Sequence, residues 1–149
     1  TAIDKAGTLH EDPKSVVKTA VLKLDNKDYA IALIPANKLL DKNKIKSIIN
    51  IQRKKAKDKA YKKIDFATEA WMKKNISGQV GATPPFVILW NLPTFVDGNL
   101  LRQSKVIVNA GDYNVSVKLT KAGFQKAIKD ITKGSFACAK KKNKRLLSL

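Results

Sequence analysis

Two apolar segments joined by a short turn constrain the fold of this chain more than any other feature. Residues 15–25 (SVVKTAVLKLD) alternate with a period of two and carry apolar side chains on both parities, which is typical of a strand covered on both faces. Residues 25–28 (DNKD) are turn formers, and residues 29–34 (YAIALI) form a second apolar run that ends at Pro35. The pattern therefore predicts a buried β-hairpin.

Three later segments have apolar residues at helical spacing. Asp41 precedes the first and can cap it, so residues 41–50 predict an amphipathic helix. Residues 65–74 predict a second short helix, and Thr120 predicts the cap of a third that extends to Thr132. The side chains that these helices are expected to bury are Ile45, Ile48, Ile49, Phe66, Ala70, Trp71, Phe124, Ala127, Ile128 and Ile131.

The rest of the chain alternates short apolar segments with turns. Further strands are predicted at residues 86–90, 93–96, 105–108 and 115–119, with one helical turn at residues 97–101. The strands outnumber the helices, and the first two strands form a hairpin. We therefore expect an α+β fold with a mixed, largely antiparallel central sheet and interspersed helices.

The length and the two ends of the chain bear on its domain organisation. A chain of 149 residues, 44% of them apolar, suits one domain with a core of ordinary size. We expect this domain over residues 1–135 and a basic tail or linker over residues 136–149. The chain begins at Thr1 and has no apolar signal segment near it, from which we expect a fragment or an excised domain.

The net charge of +18 has two interpretations, a nucleic-acid footprint and a solvated lysine-rich surface. Only three of the 30 basic residues are arginine, the side chain best suited to base edges. Any contact with nucleic acid is therefore expected at the phosphate backbone. Residues 52–63 concentrate the charge and are too polar to bury a face, which predicts either an exposed helix extension or an insertion loop.

One cysteine and one histidine exclude several kinds of site. Cys138 cannot form a disulfide within the chain, and together with His10 it provides too few ligands for a structural zinc site. No stretch reaches the roughly 18 to 20 apolar residues that cross a bilayer. The sequence also contains no phosphate-binding loop, nucleophile elbow or zinc-protease motif. We expect no metal, no cofactor and no membrane partner.

Three local features are candidate functional positions. Lys18 interrupts an apolar strand, so its ammonium group either extends to solvent or faces a cleft that holds an anion or a carbonyl. Residues 81–86 (GATPPF) form a rigid loop, which is either a tight connection or a set of backbone N–H groups for a ligand. Residues 109–111 (NAG) either end a strand or allow close approach of a ligand.

The order of the motifs adds information that no single motif carries. In chain order the motifs are Lys18-Thr19, Ile34-Pro35, Leu40-Asp41-x-x-Lys44, Ala67-Thr68, Ser77-Gly78-x-x-Gly81-x-x-Pro84-Pro85-Phe86, Leu92-Pro93-x-x-Val96-Asp97, Val108-Asn109-Ala110-Gly111 and Leu119-Thr120. Over residues 16–131 this order resembles the YbaK / aminoacyl-tRNA synthetase-associated domain family.

The resemblance implies a YbaK-like fold and an activity on mischarged tRNA in the cytoplasm. The implied reaction is hydrolysis of the ester between a wrong amino acid, typically alanine or cysteine, and the 3′ end of tRNA(Pro). The tRNA would be the partner of either a free deacylase or the editing module of a prolyl-tRNA synthetase. A group of the substrate itself, a ribose hydroxyl or a cysteine thiol, would promote the hydrolysis, so neither a metal nor a cofactor is implied.

The resemblance also implies roles for individual residues. Lys18 would hold the terminal adenosine phosphate or the aminoacyl carbonyl, and Gly81 would begin the loop that polarises this carbonyl, so both are expected to be catalytic. The expected substrate-binding residues are Thr19, Ala82, Thr83, Pro84, Asn109, Ala110 and Gly111. The expected contacts to the tRNA backbone are Arg53, Lys54, Lys55 and Lys57.

Two other functions stay open at this level. The first is a non-catalytic tRNA-binding or scaffolding module of a synthetase that keeps the fold without the chemistry. The second is a protein-interaction domain with a lysine-rich surface, which would have no affinity for tRNA at physiological salt.

Overall fold

Nine short strands and four α-helices make up the described part of the protein, which comprises residues 7, 10–76, 91–112 and 114–140 of the computed structural model. In chain order the strands are β1 (Val17–Leu24), β2 (Asp28–Pro35), β3 (Lys38–Leu40), β4 (Ile64–Phe66), β5 (Thr94–Asp97), β6 (Lys105–Asn109), β7 (Ser116–Thr120), β8 (Thr132–Gly134) and β9 (Ala137–Ala139). The α-helices are α1 (Lys42–Lys55), α2 (Glu69–Asn75), α3 (Gly98–Leu101) and α4 (Lys121–Ala127), and a 3-10 turn precedes β1 at Pro13–Ser15.

A five-stranded mixed sheet with the strand order β4-β1-β2-β5-β8 lies at the centre. β1 and β2 form the predicted hairpin, whose turn residues Asp25 and Asn26 have positive φ angles of 50° and 58°. β4 pairs antiparallel with β1, whereas β5 and β8 extend the sheet in parallel. Two antiparallel pairs, β3–β9 and β6–β7, complete the described strands. The predicted α+β fold with a mixed, largely antiparallel sheet is confirmed.

Both faces of the central hairpin are buried, as its two apolar parities predict. One face packs against α1, with a core that includes Leu22, Ala32, Ile34, Ile45, Ile49 and Phe136. The other face packs against β6 and α4, with a core that includes Val17, Ile31, Leu33, Val106, Phe124 and Ile128. Successive side chains of a strand point to opposite faces, so one hairpin supplies both cores.

The first helix, α1, begins at the predicted cap and continues into the basic stretch. The carboxylate of Asp41 accepts hydrogen bonds from the backbone N–H groups of Asn43 and Lys44, both at 3.1 Å. The helix ends at Lys55, and a loop connects it to β4, so the stretch contains both a helix extension and a loop. The expectation that this stretch buries nothing is wrong for Tyr61, which is buried and donates a 2.6 Å hydrogen bond to Asp28.

The predicted helix over residues 65–74 is wrong at its start and in its buried face. β4 occupies residues up to Phe66, and α2 begins only after Thr68, whose hydroxyl caps it. Phe66 is 52% exposed, Ala70 is exposed, and the half-buried Trp71 stacks on Tyr29 at 3.6 Å between ring centroids. Pairing with the edge of β1 favours the extended conformation here, and local helical spacing cannot reveal that pairing.

The last predicted helix keeps its cap but ends early. The Thr120 hydroxyl accepts a 3.0 Å hydrogen bond from the N–H group of Gly123, as predicted, but α4 ends at Ala127, which is exposed rather than buried. Ile128 and Ile131 are buried without being helical. Residues from Thr132 onward form β8, because the edge of β5 offers them backbone partners.

The remaining predicted elements have different outcomes. The strands predicted at residues 93–96, 105–108 and 115–119 correspond to β5, β6 and β7, and the predicted helical turn corresponds to α3. The strand predicted at residues 86–90 lies outside the described residues. β9 and the fully buried Phe136 lie beyond residue 135, where the basic tail was expected to begin.

Candidate active site

The candidate residues that the structure describes meet in a cleft beside β1. On the side away from β2, β4 pairs with Leu22–Leu24, while Val16 is bridged to Ile107 of β6. Among the described strands, none pairs with residues 18–20 on this side. The cleft has a volume of about 410 Å³. Its described lining residues are Lys18, Thr19, Ala20, Val21, Ile34, Leu39, Leu40, Phe66, Ala67, Met72 and Asn109.

Lys18 lies in this cleft and is half-buried. Its Nζ donates a hydrogen bond of 2.8 Å to the backbone carbonyl of Lys38, which orients the ammonium group. Burial lowers the pKa of Lys18, and the positive charge of Lys140 lowers this pKa further. Of the two alternatives for a lysine in an apolar strand, the structure places this one in a cleft.

Thr19 lines the cleft, and its hydroxyl lies buried in the protein. Thr19 Oγ1 is buried and has no hydrogen-bond partner among the described residues. The Val21 carbonyl accepts a 2.8 Å hydrogen bond from the N–H group of Ala67, on the β4 side of β1. Because backbone groups alternate between the two sides of an antiparallel strand, the N–H and C=O groups of Thr19 face that same side. Thr19 therefore directs its backbone polar groups into the gap between β4 and β6.

Residues 109–111 divide between the cleft and a turn. Asn109 is the last residue of β6, is 5% exposed and lines the cleft. Ala110 is exposed, and Gly111 has a φ of 91°, a backbone conformation that residues with a Cβ rarely adopt. Ala110 and Gly111 are not among the described lining residues.

The other predicted site residues lie elsewhere. Gly81, Ala82, Thr83 and Pro84 lie outside the described residues. Arg53 lies 4.2 Å from the centroid of the Tyr61 ring, donates a 2.8 Å hydrogen bond to the carbonyl of Lys59, and lines a different groove beside the β1–β2 turn. Lys54, Lys55 and Lys57 are exposed, and none of them lines the Lys18 cleft.

Eight apolar residues among the described lining were not predicted as site residues, and they include Leu39, Phe66 and Met72. Leu39 is 42% exposed, and Phe66 was expected to face the core. No signal in the sequence indicated the exposure of Phe66, because a strand over residues 64–66 places Phe66 on the same face as Ile64, which is buried.

The charges around the cleft favour an anionic or carbonyl-bearing ligand. The described lining residues include Lys18 but no carboxylate. In such a partly desolvated site, an ammonium group interacts more strongly with an anion than it would in water. No group of three or more His, Cys, Asp or Glu side chains lies close enough to hold a metal within the described part of the chain. The cleft can therefore bind and polarise a ligand through a lysine and backbone groups.

Comparison with known proteins identifies the family. Residues 1–127 match the aminoacyl-tRNA editing domain. The chain belongs to this family. The resemblance to YbaK-like editing domains is thereby confirmed, and the family supports editing of mischarged tRNA by deacylation in general. No curated protein matches the chain significantly.

Solved structures show the same fold at low sequence identity. The hypothetical protein APE2540 is 20% identical with a TM-score of 0.76, and the match covers 93% of this chain and 84% of that one. A proposed trans-editing enzyme for prolyl tRNA synthetase is 18% identical with a TM-score of 0.74, and the match covers 93% of this chain and 80% of that one. In the described part of this chain, no helix is both long and apolar enough to cross a membrane.

Proposed function

We propose that the protein hydrolyses alanyl- or cysteinyl-tRNA(Pro), either as a free enzyme in the cytoplasm or as the editing module of a prolyl-tRNA synthetase. The observation that carries this proposal is the Lys18 ammonium group, half-buried in a cleft with no carboxylate among its described lining residues. The similarity in fold to a proposed trans-editing enzyme for prolyl tRNA synthetase supports the choice of tRNA.

The proposed reaction is the attack of water on the aminoacyl carbonyl. Lys18 holds this carbonyl or the phosphate of the terminal nucleotide, and the negative charge that develops on the carbonyl oxygen is stabilised by nearby positive charge and N–H groups. The loop from Gly81 to Pro84 supplies backbone N–H groups in this proposal, as in the family that the sequence resembles. The ester C–O bond then breaks, the ribose oxygen leaves with a proton, and the amino acid is released.

Promotion of the attack by the substrate accounts for a site whose described lining residues include no serine, cysteine or histidine. An aminoacyl ester is more reactive than an amide, so correct positioning supplies much of the rate. A ribose hydroxyl can orient the water. The thiol of a cysteinyl substrate can instead attack its own carbonyl, which breaks the ester C–O bond, releases the ribose oxygen with the thiol proton and leaves a cyclic thioester that water then opens to cysteine. Asn109, Ala110 and Gly111 would border the amino-acid pocket, with Asn109 lining the cleft itself.

The direct test measures release of amino acid from alanyl-, cysteinyl- and prolyl-tRNA(Pro), with other mischarged tRNAs as further substrates. The proposal expects turnover of the first two and protection of the correctly charged prolyl-tRNA(Pro). Absence of turnover on every mischarged tRNA would sink the catalytic claim, and turnover confined to another tRNA would move the proposal to that substrate.

The Thr19 hydroxyl offers a test in which stability and activity change in opposite directions. A buried hydroxyl without a partner costs on the order of 1 kcal/mol, so Thr19→Val is expected to raise the free energy of unfolding by about that amount. If the hydroxyl contacts the substrate, the same variant loses about 10-fold in kcat/KM. Denaturant unfolding and the deacylation assay measure the two effects.

A matched control is Thr94→Val. Thr94 is also buried, but its hydroxyl donates a 3.0 Å hydrogen bond to the carbonyl of Leu92, so this variant is expected to lose about 1 kcal/mol of stability. Activity of Thr19→Val equal to that of the wild type would remove Thr19 from the substrate-binding site.

The exposed lysines at the end of α1 favour a second candidate function, tRNA binding without catalysis. Lys54, Lys55 and Lys57 are exposed at this end of the helix and its following turn, where they can contact phosphates. Each phosphate contact contributes about 0.9 to the slope of log K against log salt concentration. Replacing all three by alanine is therefore expected to reduce the slope for tRNA binding by about 3.

The control for this charge variant replaces three exposed lysines elsewhere, namely Lys121, Lys126 and Lys129. An editing enzyme that uses the α1 lysines shows a raised KM and an unchanged kcat in the α1 variant. A non-catalytic module shows the same loss of binding, but the wild type has no turnover. Equal salt slopes for both variants and the wild type would exclude the α1 lysines as tRNA contacts.

A further inference from the structure

Exposed apolar side chains cluster at the cleft. Among the described residues, five large apolar side chains are strongly exposed, and two of these, Leu39 at 42% and Phe66 at 52%, line this one cleft. Single exposed apolar residues are common on proteins, but a pair that borders a concave site indicates a ligand surface. Phe66 is the only aromatic side chain among the described lining residues.

Lysine ammonium groups lie near the Phe66 ring. Lys42 Nζ lies 5.0 Å from the ring centroid, within range of a cation–π interaction. The neighbouring Asp65 carboxylate pairs with Lys42 at 3.7 Å and with Lys63 at 3.3 Å, so two lysines balance one acidic group. Lys18 lines the same cleft and is close enough to Lys140 for the two charges to interact.

An aromatic face beside several ammonium groups matches the chemistry of a nucleotide. A nucleobase can stack on an aromatic side chain whatever its sequence, while lysines bind the phosphates that flank it. A purely apolar ligand would make no ionic contact with the lysines, and a simple anion would leave the Phe66 ring exposed to solvent. The combination therefore selects a ligand that is planar and aromatic at one end and anionic at the other.

We propose that Phe66 is the stacking platform for the base of the nucleotide that carries the aminoacyl ester. This inference rests on the proposed function, which brings the 3′ end of a tRNA into the cleft. Stacking on Phe66 fixes the ribose, while Lys42 provides positive charge for the adjoining phosphate. Phe66 does not touch the reacting carbonyl in this arrangement and is a positioning residue.

The test measures how much the 3′-terminal base contributes to RNA binding. Two short RNAs are compared by fluorescence anisotropy, one ending in the complete tRNA acceptor sequence and one with an abasic 3′-terminal residue. The wild type is expected to bind the complete RNA about 10-fold more tightly than the abasic RNA. Phe66→Ala is expected to abolish this preference, and Phe66→Trp to retain it, because indole stacks at least as well as phenyl.

The matched control is Ile51→Ala, which removes an exposed apolar side chain of α1 that does not line the cleft. This variant is expected to keep the full preference for the complete RNA. In the deacylation assay, Phe66→Ala is expected to raise KM about 10-fold with kcat little changed, and Phe66→Trp to restore KM.

The outcomes distinguish this inference from the proposed function. A base preference that depends on Phe66 in a protein without turnover supports the stacking platform and overturns the deacylase. Turnover by the wild type, together with an unchanged base preference and KM in Phe66→Ala, overturns the platform alone. Equal binding of the two RNAs by the wild type also overturns it.

Discussion

Replacing Lys18 with alanine is expected to lower kcat/KM for deacylation of mischarged tRNA(Pro) by about 100-fold or more. Removal of one group that stabilises a developing oxyanion costs enzymes on the order of 10² to 10³ in rate. Lys18 is suited to such a role because its ammonium group is half-buried and held at 2.8 Å from the Lys38 carbonyl. The effect is measured by single-turnover hydrolysis of alanyl- and cysteinyl-tRNA(Pro).

The control for this substitution comes from the same strand. Lys23 also lies in β1 and is half-buried, but it is not among the described residues that line the cleft. Lys23→Ala is expected to stay within about 2-fold of wild-type activity, as substitutions away from a site usually do. Lys18→Ala is expected to fold, because the substitution removes a half-buried charge and takes a hydrogen-bond donor from one group, the Lys38 carbonyl. Equal activity of the two variants would remove Lys18 from the reaction.

Elements decided by nearby residues were predictable from the sequence. The β1–β2 hairpin follows from two apolar runs and a turn that residues such as Asn26 favour. The caps at Asp41 and Thr120 follow from single side chains that bond to the next turn of backbone. Each of these features depends on interactions within a few residues, so the local pattern was sufficient.

Elements that exist only through distant pairing were missed. Residues 64–66 have apolar and polar side chains that suit either a strand or a helix, and the edge of β1 makes them a strand. The same holds for residues 132–134, the first of which was predicted as the end of a helix, and which pair with β5. Short segments at the edge of a sheet take their conformation from the partner strand, and the partner is more than thirty residues away in both cases.

The candidate site was predictable only at Lys18, a charged residue within an apolar strand. Burying a lysine is costly unless it has a partner, so its position in this strand predicts a cleft or a path to solvent. Phe66 and Leu39 did not, because an apolar residue in a short apolar segment looks like core. Their exposure results from the gap between β4 and β6, to which at least four separate parts of the chain contribute. The specific reaction came from the family resemblance rather than from these residues.

Among the described strands, none pairs with residues 18–20 on the side away from β2. Pairing with β2 keeps this part of β1 extended, so this edge can orient a carbonyl in the way that positioning-based catalysis requires.

Replacing Asp97 with asparagine is expected to cause the largest loss of stability, about 3 kcal/mol. Asp97 is completely buried, and its carboxylate accepts four hydrogen bonds. Oδ1 accepts from the N–H groups of Phe136 and Ala137 at 2.9 Å each, and Oδ2 accepts from the backbone and side chain of Asn99. The residue thus joins β5, α3 and the segment leading into β9.

An asparagine can replace only one of the two carboxylate oxygens as an acceptor. Its NH₂ group would face N–H donors that bond to the carboxylate in the wild type, and a buried donor without a partner costs about 1 to 3 kcal/mol. A loss of about 3 kcal/mol corresponds to a decrease in Tm of roughly 10 °C for a chain of this size. Thermal and denaturant unfolding both measure this effect.

Asp41→Asn provides the matched control for Asp97→Asn. Asp41 also accepts two backbone hydrogen bonds at a helix N-terminus, but through Oδ1 alone and in an exposed setting. Asparagine is as good an N-cap as aspartate, so Asp41→Asn is expected to change stability by less than about 0.5 kcal/mol. If the two variants unfold at the same denaturant concentration, the second oxygen of Asp97 contributes nothing. A large difference means that this buried carboxylate, outside the cleft, holds the C-terminal strands against the central sheet.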